Sequence, residues 1–202
     1  MTLGGVLGTI IFIIIGYINA KSPKTRYFSL TIKKKNPIHR KLTFAVASDI
    51  HLGPTNGVRH IQRIVKKINR LNPDIILLPG DVMDGELDPV IRRDLGSYLR
   101  KLEAQYGVYA ILGNHEYIGG MERAATYLQD HGITLLQDES IHIAGITIIG
   151  RDDLSSARFG QQRQPLESLV KKLDTRRLLV LMDHQPKKLR ETQKNGIDIQ
   201  FS

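Results

Sequence analysis

The sequence contains no cysteine among its 202 residues. Disulfide bonds, zinc fingers, iron–sulfur clusters and cysteine nucleophiles are therefore excluded. Any metal ion that the chain binds must be held by His, Asp, Glu or Asn. With 41% hydrophobic residues, the chain is long enough for one domain with its own core and a short additional segment.

Acidic residues are absent before Asp49, although the whole chain has a net charge of +9. Eight of the 29 basic residues lie between Lys21 and Lys41, and the other 21 are almost balanced by 20 acidic residues. The positive excess is therefore local, and it directly follows an apolar segment. This placement favours a juxtamembrane segment, residues 21–41, that is attracted to the anionic headgroups of membrane lipids. We do not expect nucleic-acid binding.

Charged residues are also absent from the first 20 positions, which include the apolar run Ile10–Ile15. Twenty helical residues span about 30 Å, the thickness of a bilayer core. A signal peptide would need a basic region before this run and a small-residue cleavage site after it, and neither is present. We therefore predict a transmembrane anchor over residues 1–20, with a buried soluble helix as the alternative. The basic residues that follow predict a cell-membrane protein whose domain is cytoplasmic.

Short apolar runs and amphipathic segments follow each other through residues 42–202, which predicts an α/β domain. A first edge strand is predicted over residues 27–32. Buried strands are predicted over residues 42–47, 74–78, 107–112 and 177–182, and a further strand over residues 197–201. Helices are predicted over residues 58–71, 88–104, 121–131, 164–173 and 186–195. Residues 133–137, 140–144 and 146–149 predict the meander of a second sheet.

Four of the buried strands end in side chains that can bind a metal ion. Asp49 and His51 lie two residues apart, so in an extended chain both point to the same side. At the carboxyl ends of strands in an α/β sheet, such groups point into the crevice where ligands bind. Oxygen and nitrogen ligands without sulfur suit Mn²⁺, Fe or Zn²⁺. The four clusters are Asp49 and His51, Asp81 and Asp84, Asn114 with His115 and Glu116, and Asp183 with His184.

These motifs resemble those of the calcineurin-like metallophosphoesterase superfamily. The resemblance covers residues 42–202 and rests on Asp49-x-His51, Gly80-Asp81-x-x-Asp84, Gly113-Asn114-His115-Glu116 and the later His184. Within the superfamily, the chain is similar to the bacterial membrane-associated branch of the YkuE and YaeI type. The resemblance implies a four-layer α/β/β/α sandwich with a dinuclear metal site between its two sheets.

The resemblance also implies a role for each motif residue. Asp81 would bridge two divalent ions, Mn²⁺, Fe or Zn²⁺. Asp49 and His51 would complete the first set of ligands, and Asn114 and His184 the second. His115 would face the substrate, stabilise the phosphoryl oxygens and help to protonate the leaving group. Asp84 and Glu116 would orient the ligands.

The implied activity is the hydrolysis of a phosphomonoester or phosphodiester by a hydroxide that bridges the two ions. One alternative is a pyrophosphatase that acts on a nucleotide-linked lipid, because the predicted anchor would keep the site near the bilayer. An alternative of another class is a catalytically inactive, membrane-bound scaffold. The loop over residues 155–164 is expected to govern substrate specificity.

One family motif, Gly-His-x-His after a strand, is not found before the sequence ends at Ser202. This motif would supply each metal ion with one further histidine, and it would be expected to begin at this point. We therefore expect the domain to be incomplete at its C-terminus. The 202-residue fragment is expected to bind metal weakly and to have little activity, whereas the full product is expected to be a hydrolase.

Overall fold

A computed structural model describes residues 3–20, 22–34 and 41–202 of the chain. Two units are distinguished, Met1–Thr31 and Ile32–Ser202. The first unit contains helix α1 (Leu3–Ala20), whose isoleucine side chains and Phe12 are exposed. Among the described residues, no helix has both the length and the apolarity that crossing a bilayer requires. The predicted anchor is therefore helical but is not confirmed as a transmembrane span.

The segment that follows α1 differs from its prediction. Residues 27–32 are described and form no strand. Lys21 and residues 35–40, which belong to the predicted lipid-attracted segment, lie outside the described residues. Lys34, which belongs to the same predicted segment, donates from its Nζ to the carbonyl of Thr175 at 2.9 Å and lies 2.9 Å from Asp198 Oδ2. This lysine contributes to the packing of the second unit.

The first sheet of the second unit has four parallel strands in chain order. They are β1 (Phe44–Val46), β2 (Ile75–Pro79), β3 (Val108–Ile111) and β4 (Thr134–Leu135). The three buried strands predicted first are confirmed. The prediction for residues 133–137 was wrong about the sheet, because β4 pairs with β3 through Tyr109 and Thr134 instead of joining the second sheet.

Four helices connect these strands: α2 (Val58–Asn69), α3 (Asp88–Arg92), α4 (Gly96–Leu99) and α5 (Asn114–Asp130). The single helix predicted over residues 88–104 is divided, because Asp94 has a φ of 48° and interrupts the helical backbone. Helix α5 begins seven residues before the predicted Met121, because Asn114 and His115 form its first turn. Gly120, with a φ of 102°, kinks α5.

The second sheet contains β5 (Glu139–Ile143), β6 (Ile146–Gly150), β7 (Leu179–Met182) and β8 (Ile199–Phe201). Strands β5 and β6 form an antiparallel hairpin, and β6, β7 and β8 run parallel. Between β6 and β7 lie a 3₁₀ helix (Leu154–Phe159) and helix α6 (Leu166–Val170), and α7 (Leu189–Lys194) precedes β8. The predicted strands of this sheet are confirmed apart from residues 133–137.

Alternation along the strands separates three layers of apolar side chains. In β2, Ile76 and Leu78 pack with α2 and α5, whereas Ile75 and Leu77 pack against the second sheet. In β7, Val180 and Met182 face the first sheet, and Leu179 and Leu181 pack with Leu166 and Val170 of α6. Strands β2, β3, β6 and β7 are buried on both faces and are therefore mostly apolar, whereas β5 has exposed polar residues. The result is helices, sheet, sheet, helices, as the resemblance implied.

Candidate metal centre

The loops after β1, β2 and β3 lie side by side at the carboxyl edge of the first sheet. The backbone N–H of Asp49 donates to the carbonyl of Gly80 at 3.2 Å, and the N–H of His51 donates to the carbonyl of Asp81 at 3.0 Å. These bonds extend the parallel pairing of β1 and β2 beyond the strands. The side chains predicted at the two strand ends are therefore brought together.

Three of these side chains stand on a strained backbone. Asp49, His51 and Asp81 have φ values of 55°, 49° and 52°, which lie in the left-handed region. This conformation costs a non-glycine residue about 1 kcal/mol or more, and it occurs often at functional sites. The consequence is geometric: each turn sends its side chain toward the shared edge instead of continuing the strand.

Two glycines allow the loops to approach closely. A Cβ atom on Gly80 would lie 2.6 Å from His184 Nδ1, and Gly80 also has a φ of 89°. A Cβ atom on Gly113 would lie 2.6 Å from the backbone nitrogen of Asp81 and closer still to Asp81 Oδ1. Any larger residue at either position would separate the β2 loop from the groups that contact it.

Asp81 lies at the centre of the site and is almost fully buried. Its Oδ1 accepts the backbone N–H of His115 at 2.9 Å, and its Oδ2 lies 3.3 Å from His184 Nε2 and 3.8 Å from His51 Nε2. Burial raises the pKa of Asp81, but the hydrogen bonds from His184 and His115 outweigh it, so the pKa is lowered overall. The carboxylate is therefore ionised and faces two imidazoles.

His184 presents one ring nitrogen to this carboxylate. Its Nδ1 lies 2.9 Å from the carbonyl of Pro79, so Nδ1 donates and Nε2 is left to face Asp81 and the Oδ1 of Asn114, 3.2 Å away. Burial lowers the pKa of His184, but the hydrogen bond with Asp81 prevails and raises it to about 9. The Nε2 atom and the carboxylate thus face each other, as two ligands of one cation would. This donor set fits a divalent metal ion.

Asp49 and His51 approach Asp81 from the other side. His51 Nε2 lies 3.7 Å from Asp49 Oδ1, and one ligand atom from each of Asp49, His51 and Asp81 fits within 4.8 Å of the others. The side chain of Asp49 is about half exposed, so this half of the site is open to solvent. The structure therefore brings together all five residues that were predicted as ligands; that they bind metal remains a prediction.

Asp84 lies between two half-buried imidazoles of the site. Its Oδ1 lies 3.2 Å from His115 Nδ1 and 3.5 Å from His51 Nδ1, and the two rings meet edge to face with centroids 4.6 Å apart. Ligand atoms of His51, Asp84 and His115 also lie within 4.8 Å of one another. This second cluster was not anticipated, because Asp84 was expected to orient ligands and His115 to face the substrate.

Glu116 is buried and connects the loops through their backbones. Its Oε2 accepts the N–H groups of Asp81 at 3.0 Å and of Gly113 at 2.8 Å, and its Oε1 accepts the N–H of Met83 at 2.8 Å. Burial raises the pKa of this carboxyl group, against the lowering effect of the Met83 and Gly113 hydrogen bonds. The predicted supporting role is thus exerted on the backbone of the β2 and β3 loops.

Asp183 does not face the metal site as the strand-end argument expected. Its Oδ2 accepts Arg163 Nη2 at 2.6 Å and lies 3.6 Å from Arg151 Nη1, so this carboxylate forms a buried ion network. Alternation explains the difference, because His184 follows Met182 toward the first sheet and Asp183 follows Leu181 toward the outer face. Burial raises the pKa of Asp183, although both arginines act to lower it.

A polar cluster at the end of β6 was not predicted from the sequence. Arg151, Asp152 and Asp153 are all buried and directly follow this strand, which is the same signal that identified the other clusters. Tyr117 of α5 donates a hydrogen bond to Asp152, which links α5 to the second sheet. Gln185 donates to both carboxylate oxygens of Asp153, at 3.0 and 3.1 Å.

Residues 42–202 match the family described as calcineurin-like phosphoesterase. An "Uncharacterized metallophosphoesterase" of Aquifex aeolicus (strain VF5) is 31% identical and covers 80% of this chain and 62% of that protein. A "Transmembrane protein with metallophosphoesterase domain" of Danio rerio is 27% identical over an alignment that covers 98% of this chain and 47% of that protein. The Bacillus subtilis protein "Uncharacterized metallophosphoesterase YkoQ" is 33% identical over an alignment that covers 69% of this chain and 54% of that protein. The chain thus spans only part of the length of these relatives.

Proposed function

The chain belongs to the calcineurin-like phosphoesterase family, and from that premise we propose that it hydrolyses a phosphoester with two divalent metal ions. The observation that carries this proposal is the convergence on Asp81. One carboxylate oxygen of Asp81 lies between His51 Nε2, at 3.8 Å, and His184 Nε2, at 3.3 Å. A ligand shared by two cations requires such an arrangement, with further donors on each side.

We propose that Asp49, His51 and Asp81 hold one ion, and that Asp81, Asn114 and His184 hold the other. Oxygen and imidazole donors of this kind suit Mn²⁺, Fe or Zn²⁺. When bound, the two ions would supply an activated water and would offset the negative charge of the phosphoryl group. The protein contributes the spacing, because Gly80, Gly113 and Glu116 fix the loops that carry the ligands.

His115 is the proposed proton donor to the leaving group. Its Nδ1 faces Asp84 at 3.2 Å, which leaves Nε2 for the substrate, and its side chain is about one-third exposed. In the hydrolysis, the oxygen of water forms a new bond to phosphorus and the bond from phosphorus to the leaving oxygen breaks. The proton on His115 then passes to that oxygen. Asp84 would orient the imidazole for this step.

We further propose a location at the cell membrane. Two observations support it: the apolar side chains of α1 are exposed, and the Danio rerio relative is named as a transmembrane protein. The experiment is fractionation of cells that produce the chain, with and without residues 1–20. Release of the intact chain from membranes by high salt, or equal fractionation of the two forms, would contradict an anchor. The YkuE and YaeI branch and the lipid-linked substrate remain predictions.

The metal-dependent reaction is tested with p-nitrophenyl phosphate and bis-p-nitrophenyl phosphate. The purified chain is stripped with EDTA, and Mn²⁺, Zn²⁺ or Fe²⁺ is added back while metal binding is measured by calorimetry. Because the chain lacks the motif that would supply a further histidine to each ion, we expect added metal to give only weak turnover. Asp81→Asn should lower this kcat/KM at least about 100-fold, because a ligand should matter more than the outer partners that typically cost 10–100-fold.

The matched control is Asp88→Asn, whose exposed carboxylate pairs with Arg123 on helices α3 and α5. This variant should retain both metal binding and turnover. Turnover that survives EDTA or Asp81→Asn would overturn the proposed function. Tight metal binding without turnover of either ester would support the scaffold alternative instead.

A further inference from the structure

The loop from Asp153 to Gln164, here called the 153–164 loop, is fixed at both ends by buried polar groups. At its start, Asp153 accepts the N–H of Ser155 at 2.7 Å and the side-chain amide of Gln185. At its end, the N–H of Gln164 donates to Asp138 at 2.5 Å, and its carbonyl accepts Arg151 Nη2 at 2.9 Å. A surface loop whose ends are held in this way presents its tip in a defined position.

A third contact joins the loop to the residue beside a proposed ligand. Arg163 donates to Asp183, which is 2% exposed and directly precedes His184. Buried ion pairs contribute little net stability, because desolvation offsets the attraction of the charges. The pair therefore matters here mainly for geometry: it holds the 153–164 loop against the end of β7, beside the metal centre.

The tip of the loop places an apolar side chain near the first turn of α5. Phe159 is 46% exposed, and its ring centroid lies 5.7 Å from that of Tyr117. Ile118, the next residue of α5, is 67% exposed. Ile118 follows His115 by three residues, and helical residues at this spacing are neighbours about 5–6 Å apart. Ile118 is thus a neighbour of the proposed proton donor, and Phe159 packs on Tyr117, the residue between them in the same helical turn.

We propose that Phe159 and Ile118 bind the apolar part of the leaving group, so that the substrate is a phosphoester of an alcohol with an alkyl, acyl or aryl group. The inference rests on the proposed function, because His115 can protonate the leaving oxygen only if the leaving group lies next to it. A polar leaving group would leave both side chains in water. An apolar one would cover them, and the fixed loop would bind it without first having to be ordered.

The experiment uses methylphosphonate and octylphosphonate, which carry the same phosphoryl head and cannot be hydrolysed. Their binding to the Mn²⁺-loaded chain is measured by calorimetry below the micelle-forming concentration. We expect the octyl probe to bind roughly tenfold tighter or more, from partial burial of its chain on two side chains. Ile118→Ser and Phe159→Ser should each reduce this ratio severalfold and leave methylphosphonate binding unchanged.

The matched control is Ile91→Ser on α3, because Ile91 is 46% exposed and no predicted ligand lies on that helix. Equal affinity for the two probes, or the same loss of the ratio in Ile91→Ser, would overturn the inference. A chain that prefers the longer probe but shows no metal-dependent turnover would instead contradict the proposed function. Turnover with no chain-length preference would retain the proposed function and overturn only this inference.

Discussion

The Oε2 atom of Glu116 accepts the backbone N–H of Asp81 at 3.0 Å and so ties the loop after β2 to the first turn of α5. The same side chain also accepts the N–H groups of Gly113 and Met83. Burial alone would favour the neutral form of Glu116, and three backbone donors oppose this. Glu116 therefore stabilises the loops after β2 and β3, which carry predicted metal ligands, through their backbone N–H groups, and its side chain has no contact with solvent.

Glu116→Gln should lower the free energy of unfolding of the metal-free chain by about 1–3 kcal/mol. An amide offers one oxygen to three N–H groups and places its own donor against one of them, which leaves a buried donor unsatisfied. Urea denaturation measures the change, with Glu122→Gln on the exposed side of α5 as the control. Equal stability of the two variants would show that the three hydrogen bonds have no such role.

Gly113→Ala should disturb the site by steric overlap alone. Gly113 has a φ of −103°, so alanine is not disfavoured by the backbone there, but its Cβ would lie 2.6 Å from the nitrogen of Asp81. We expect a loss of stability of about 1–3 kcal/mol, as in overpacked cores, together with weaker metal binding. Gly57→Ala is the control, because its Cβ would meet only the flexible end of Arg93. If both variants behave alike, the close approach of Gly113 and Asp81 has no importance.

The strand ends could be predicted from the sequence because their signal is local. Buried apolar runs followed by Asp49, Asp81 or Asn114 are visible within a few residues, and parallel strands place such ends at one edge. The side chains that contact these strand ends, in contrast, come from residues that are distant in the sequence. Asp183 was predicted only as one of the side chains at strand ends that can bind a metal ion. Its arginine partners, Arg151 after β6 and Arg163 of the 153–164 loop, could not be recognised from the sequence. Strand β4 was predicted in the wrong sheet for a similar reason, because only two of its residues pair with β3 and determine the sheet to which it belongs.

Asp49→Asn should weaken metal binding without weakening the fold. The side chain of Asp49 is about half exposed, so its loss leaves no buried group without a partner. Metal that binds only the folded chain stabilises it by about 2.7 kcal/mol at a concentration 100 times Kd. We therefore expect the variant to unfold like the wild type in EDTA but to gain less stability from added Mn²⁺. A full gain in the variant would exclude Asp49 as a ligand.

Asp152→Asn should change stability in a pH-dependent way. Burial raises the pKa of Asp152, against the lowering effect of the hydrogen bond from Tyr117. A carboxyl group whose pKa is higher in the folded state stabilises the fold while it is protonated, and this contribution is lost as the pH rises through the folded pKa. Asparagine stays neutral throughout. The free energy of unfolding of the variant relative to the wild type should therefore be higher at pH 7 than at pH 4, and a constant difference in urea titrations would contradict the assignment.

His115→Asn separates the two roles that the geometry allows for this residue. If His115 donates a proton to the leaving group, kcat should fall about 10²–10⁴-fold while calorimetric Mn²⁺ affinity is unchanged. The loss should be larger for an alkyl ester than for a p-nitrophenyl ester, because the alkoxide needs the proton more. If His51, Asp84 and His115 instead hold an ion, Mn²⁺ affinity should fall with kcat, and both esters should lose equally. His142→Asn is the control, since His142 contacts Thr147 and Arg177 and no predicted ligand.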